Sequence, residues 1–137
     1  MKWLLDTNVL SEVRKGRRCH PAVASWIESA DAEDLATSVL VVGEIRRGIE
    51  RLRPKDVAQA RVLEKWLERV RVEFAGRILD VDERVAEEWG RLNVPSPVPV
   101  VDGLLAATAK IHGLTLATRN VTEVARTGAW VMNPFDL

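Results

Sequence analysis

An α/β layered domain, with strands alternating with amphipathic helices, is the architecture this sequence predicts. Two observations carry that reading. Short apolar runs recur along the chain, and most are followed by a longer segment whose apolar residues return at helical spacing. Residues 2–5 read as a buried strand, and a short helix follows from about Asn8 to Lys15, stopped by Gly16. Pro21 suits the first turn of the next helix, which Val23, Trp26, Ile27 and Ala30 anchor. Leu35-Ala36-Thr37 is a short strand, and Ser38 caps a helix over about 39–52. The inward stripe of that helix reads Val41, Glu44, Ile45, Gly48, Ile49 and Leu52.

Pro54 ends this helix, and Asp56 caps another whose buried stripe is Ala60, Leu63, Trp66, Leu67 and Val70. Ile78-Leu79-Asp80-Val81 reads as a strand, after which Asp82 caps a helix carrying Val85, Ala86, Trp89 and Leu92. Three prolines within residues 93–99 fix φ and remove donors, so this stretch is an extended loop. A helix opens at Asp102 and ends at Gly113, a left-handed cap. Strands at Leu114–Thr118 and Trp130–Met132 complete the pattern.

A length of 137 residues suits one domain, residues 1–137. Hydrophobic content of 47% supports a core, and a charged fraction of 29% points to a soluble protein with no membrane association. No run approaches the roughly 18 apolar residues of a membrane span, and Asp6 interrupts the N-terminal apolar run too early for a signal peptide. The single Cys19 excludes an internal disulfide framework and a multi-thiolate metal site, and a cytoplasmic location is the expectation. Net charge is zero, so no global basic field attracts nucleic acid. Local charge is uneven: Arg14, Lys15, Arg17 and Arg18 cluster after the first strand and are candidate contacts to phosphates, as is Arg119. The nine Lys/Arg against four Asp/Glu between Arg46 and Arg71 read as solvated helix faces, with pairing expected among Glu64, Lys65, Glu68 and Arg69. His20, His112 and Cys19 read as structural, and Trp26, Trp66 and Trp89 as core aromatics.

Asp6, Glu44 and Asp102 break this apolar pattern. Asp6 ends Trp3-Leu4-Leu5, Glu44 interrupts an inward helical stripe, and Asp102 follows Val98-Pro99-Val100-Val101. Ionised carboxylates leave water only when paired, strongly hydrogen-bonded or bound to a cation, and no basic residue directly flanks any of the three. In an open parallel sheet, Asp6 and the run Thr118-Arg119-Asn120 would both lie beyond carboxyl ends of strands, where ligands bind. Asp102 at a helix start would lie near free backbone N–H groups. A shared divalent cation with oxygen ligands, Mg²⁺ or Mn²⁺, accounts for the crowding, and the chemistry that fits is phosphodiester hydrolysis.

Four segments carry a more specific signal: Leu4-Leu5-Asp6-Thr7-Asn8-Val9-Leu10, Val42-Gly43-Glu44-Ile45-Arg46-Arg47-Gly48, Asp102-Gly103-Leu104-Leu105-Ala106-Ala107-Thr108-Ala109 and Leu116-Ala117-Thr118-Arg119-Asn120. In order and spacing they resemble the motifs of PIN-domain ribonucleases, more narrowly the VapC toxins of toxin–antitoxin pairs and their FitB-like branch, which Met132-Asn133-Pro134-Phe135 also fits. The resemblance implies a three-layer α/β/α sandwich on a central parallel sheet and a Mg²⁺- or Mn²⁺-dependent endoribonuclease. It implies Asp6, Glu44 and Asp102 as metal ligands, Thr7 and Asn8 as supports of the first acid, and Thr118 as a polar neighbour of the metal. Where the family often has a fourth acid this chain has Asn120, able to ligate through its carbonyl oxygen, and Glu123 is the nearest carboxylate. The resemblance also implies RNA (tRNA or another structured RNA) as substrate, a VapB-like antitoxin as partner, and self-association as a homodimer through helices between about 21 and 72.

Two other readings fit part of the pattern. A phosphatase using Asp6 as nucleophile would resemble haloacid-dehalogenase-like enzymes, but these carry a second Asp where this chain has Asn8. A signalling receiver domain lacks support for want of an adjacent acidic pair. A non-catalytic, RNA-binding or regulatory PIN module is the remaining alternative, and retention of all three acids argues against it.

Overall fold

The apolar runs become strands only two to four residues long, joined side by side into one parallel sheet. A computed structural model describes residues 1–137. Its strands are β1 (Trp3–Leu5), β2 (Leu35–Ser38), β3 (Ile78–Leu79), β4 (Thr115–Ala117) and β5 (Val131–Met132), in the order β3-β2-β1-β4-β5. Leu4 lies beside Ala36 of β2 and Leu116 of β4, which fixes the register of the centre. Leu4 and Leu5 point to opposite faces of β1, and both are fully buried, so helices must cover the sheet on both sides. This is the expected α/β/α arrangement.

The helices are α1 (Thr7–Val13), α2 (Pro21–Ser29), α3 (Val39–Leu52), α4 (Val57–Glu73), α5 (Glu83–Leu92), α6 (Val100–His112) and α7 (Val121–Ala125). The caps read from the sequence are present: Ser38, Asp56 and Asp82 accept backbone N–H bonds from Leu40, Gln59 and Val85, each at 3.0 Å. Gly113 ends α6 at φ 66°. No helix is long and apolar enough to cross a membrane.

Three local expectations differ. α6 starts at Val100 rather than Asp102, because Pro99 already occupies the cap position and leaves Val100 and Val101 free to begin the first turn. β3 stops at Leu79, and Asp80 and Val81 lead instead into the Asp82 cap. Glu64 does not pair along its own helix: it accepts bonds from Arg46 of α3 (2.6 Å) and from Arg53, the residue that caps α3 (3.0 Å). Glu50 joins the same cluster, accepting from Arg53 and Arg46. The charged stretch is therefore an ion-pair clamp between α3 and α4 as much as a solvated face.

The clamp gives a pH-dependent result. The Arg53 guanidinium, followed by Arg46, holds the Glu50 carboxyl down to about 2 from its ordinary 4.5. A carboxyl depressed on folding stabilises the native state fully above its unfolded value and loses that contribution as pH falls through the folded one. Thermal unfolding of Glu50→Gln should thus fall below wild type at neutral pH, with the gap closing as pH drops from 4.5 through about 2. Because the pair is exposed, added salt should narrow the gap. A gap independent of pH would mean that the clamp acts through packing alone.

Candidate functional site

With the strand order reversing at β1, the carboxyl ends of β1 and β4 lie side by side, the place where ligands bind in sheets of this kind. Asp6 stands at the end of β1 and caps α1: its Oδ1 accepts the Thr7 N–H at 2.7 Å. Its Oδ2 accepts a 2.7 Å bond from Thr118 Oγ1, at the end of β4, and a longer one of 3.4 Å from Asn8 Nδ2. Asp6 is only 5% exposed, so these donors decide which way its charge faces. Thr118 in turn accepts from the Asn120 N–H (3.1 Å) and Asn8 Nδ2 (3.4 Å), while Asn8 Oδ1 accepts the Arg119 N–H (3.2 Å). Thr118 and Asn8 thus hold a single orientation by being donor and acceptor at once.

Glu44 projects from α3 toward the same end of the sheet and is half-buried. Its Oε1 accepts the Thr7 hydroxyl at 2.7 Å. Thr7 therefore touches two acids, Asp6 through its backbone and Glu44 through its side chain, where the sequence suggested support of Asp6 alone. Asp102, in the first turn of α6, is half-buried. Its carboxyl is pushed above the usual range by burial first, then by the negative charges of Asp6, Glu44 and Glu123. That mutual repulsion brings the three acids read from the sequence, and Glu123 with them, into one electrostatic unit.

Neither Asp6 nor Glu44 has a basic residue among its hydrogen-bond partners; their donors are hydroxyl, amide and backbone groups. Excess negative charge on oxygen ligands, with neutral groups orienting them, is a donor set that suits Mg²⁺ or Mn²⁺. No three His, Cys, Asp or Glu side chains anywhere in the chain close up as a ready-made cage for an ion. Asn120 stands at the head of α7 with its side chain making no cap bond, and Glu123 follows in the first turn, exposed and 3.7 Å from Arg126.

The basic residues singled out by the sequence do not share one surface. Arg14 lies over the Trp66 ring, its guanidinium carbon 5.6 Å from the centroid. Lys15 is tied to Glu12 at 2.9 Å, and Glu12 also accepts the His20 N–H at 2.8 Å. Arg17 and Arg18 are exposed on a single 3₁₀ turn, Gly16–Arg18. Arg119 stacks on Phe135, 4.2 Å from the ring centroid, and forms no pair with an acid. His20 is structural: its Nδ1 caps α2 by accepting the Ala22 N–H (3.2 Å), and its ring meets the Phe135 ring edge-on. Burial, then the nearby Glu12 charge, pushes the Cys19 thiol up, away from the lowered range of reactive thiols.

Sequence reasoning missed Glu12. It is only 8% exposed yet lies between Ser11 and Val13 with charged residues following closely, so nothing local marks it as buried, and it orders the loop from Lys15 to His20. It also missed Gly103, which lies where Trp89 and Val98 crowd the backbone of α6 beside Asp102. No local signal marks Gly103, because the crowding side chains, Trp89 and Val98, belong to α5 and the loop before α6.

Residues 3–127 match the PIN domain. Toxin FitB of Neisseria gonorrhoeae is 35% identical over 140 aligned positions, covering 96% of this chain and 97% of that one. VapC ribonuclease Y4jK of Sinorhizobium fredii is 30% identical over 97% of both chains. Among solved structures, that of FitAcB from Neisseria gonorrhoeae superposes with a TM-score of 0.90 at 35% identity, covering 98% of this chain and 99% of the other.

Proposed function

Because this chain belongs to the PIN-domain family, we propose that it is a metal-dependent endoribonuclease, the toxin half of a toxin–antitoxin pair. The observation that carries the reading is the electrostatic convergence of Asp6, Glu44 and Asp102 at the carboxyl ends of β1 and β4. The family match adds weight through relatives named as a toxin and as a ribonuclease.

In this reading Asp6, Glu44 and Asp102 hold a Mg²⁺ or Mn²⁺ ion, with Asn120 assisting through its amide oxygen. When bound, such an ion neutralises phosphate charge and lowers the pKa of water. The protein supplies the orientation. Thr118 and the Thr7 N–H fix the two oxygens of Asp6 in separate directions, and the Thr7 hydroxyl holds Glu44 at the adjoining corner. Asp102 completes the crevice from the opposite helix. Its raised affinity for a proton marks the strain that a bound cation would relieve. A cognate antitoxin and a second copy of the chain are the proposed protein partners, with the helices between residues 21 and 72 as their surface.

Incubating the purified protein with total tRNA in Mg²⁺, Mn²⁺ or EDTA, beside an Asp6→Asn variant, tests the reading. Discrete products that need metal and vanish in the variant are expected. Metal binding without cleavage of any RNA would favour the non-catalytic RNA-binding module, and cleavage by Asp6→Asn at the wild-type rate would remove Asp6 from the site.

A further inference from the structure

We propose that the cavity between α1, α3 and α4 is the subsite for a ribonucleotide flanking the scissile bond, with Arg14 and Trp66 as its recognition groups. The inference rests on the nuclease reading above. The cavity has a volume of about 260 Å³. Thr7 and Glu44 form one wall, and these are the residues whose 2.7 Å bond builds a corner of the acidic crevice. A chain lying across the carboxylates would therefore pass directly into it. Arg14 and Trp66 form the far wall, with the guanidinium carbon held 5.6 Å from the indole centroid. Gly48 forms part of the floor, where an added Cβ would meet no atom within 4 Å.

The chemistry of these walls is that of a nucleotide site. A guanidinium matches a phosphate through paired N–H donors, and the flat indole and guanidinium surfaces stack a base. Ser11 adds a hydroxyl, donor and acceptor at once, to the lining. Acidic groups at one end and a cation at the other suit a ligand whose metal-bridged phosphate is followed by a second, free phosphate. The rest of the basic cluster does not compete for this role. Lys15 is engaged by Glu12, and Arg17 lines a separate cavity with Cys19 and Ile27. Of the four cations after the first strand, Arg14 is the one that opens on the space shared with Glu44.

Gly48→Leu is the decisive variant. Leucine is a better helix former than glycine, and a Cβ added at the exposed Gly48 meets no atom within 4 Å, so the thermal midpoint should hold or rise. On a defined oligoribonucleotide cleaved by the wild type, KM should rise about tenfold with kcat little changed, the scale of one lost base stack. Titration with AMP, GMP, CMP and UMP should quench tryptophan fluorescence in the wild type, and the apparent affinity read from the quench should weaken by a similar factor in Gly48→Leu and Arg14→Gln. Wild-type KM and quenching in a folded Gly48→Leu protein would overturn the subsite while leaving the nuclease reading intact. Unchanged nucleotide binding, with loss of binding to a partner protein, would also overturn it and assign the cavity to a protein segment. If the wild type cleaves no RNA, the nuclease reading fails, and quenching that depends on Gly48 still supports a nucleotide site.

Discussion

Replacing Asp102 by Asn should abolish RNA cleavage while leaving the fold intact or firmer. On the proposed reading Asp102 is a ligand of a cation that supplies several kcal/mol of charge stabilisation, and its removal corresponds to a rate loss on the order of 10³, at about 1.4 kcal/mol per decade. Stability should move in the opposite direction to activity. A carboxyl whose pKa is raised on folding destabilises the native state once pH exceeds its unfolded value, and Asp102 is raised by burial and by Asp6, Glu44 and Glu123. Asparagine removes that repulsion. In EDTA at neutral pH, the variant's thermal midpoint should equal or exceed the wild type's. In Mg²⁺ or Mn²⁺ the order should invert, because only the wild type gains stability from binding the ion. A variant that lost activity and stability together in EDTA would show Asp102 to be a structural carboxylate.

Gly103→Ala should be among the most damaging of conservative changes. A methyl group at this position would lie 2.8 Å from Val98 Cγ2, 3.1 Å from Trp89 Cδ1 and 3.2 Å from Trp89 Nε1. Valine is rigid at χ1 and the Trp89 indole is wedged tightly enough that its Nε1 is buried without a hydrogen-bond partner, so neither yields cheaply. Overpacking of this kind costs about 1–3 kcal/mol, or roughly 4–12 °C of thermal midpoint for a chain of this size. The alternative to that loss is a shift of the first turn of α6, which carries Asp102, so activity should fall as well. Adding Val98→Ala should recover part of both, and the double-mutant cycle measures the coupling. Full additivity would mean that the crowding is relieved elsewhere.

These two residues show where sequence reading succeeds and where it stops. Asp102 was legible because a carboxylate in an apolar setting violates a strong local rule. The caps at Ser38, Asp56 and Asp82 were legible for a similar reason, since capping depends on residues within three positions. Gly103 was not, because its importance comes from α5 and the loop before α6, and no local pattern encodes which helices will meet. The same holds for Glu64, whose partners on α3 replace the neighbours along its own helix. Thr7 was half legible: its place beside Asp6 is written in the chain, whereas its bond to Glu44 spans 37 positions and needs the packed α1 and α3.

Thr118 meets Asp6 across 112 positions of the chain, at the heart of the acidic crevice. During synthesis, at about 5–20 residues per second, Asp6 therefore waits roughly 6–20 s before the hydroxyl that orients it has even been polymerised. Folding of β1 and its neighbours can proceed in that interval without a finished crevice. For a protein proposed to cut RNA, the bond that orients its first acid can therefore form only after residue 118 has been made.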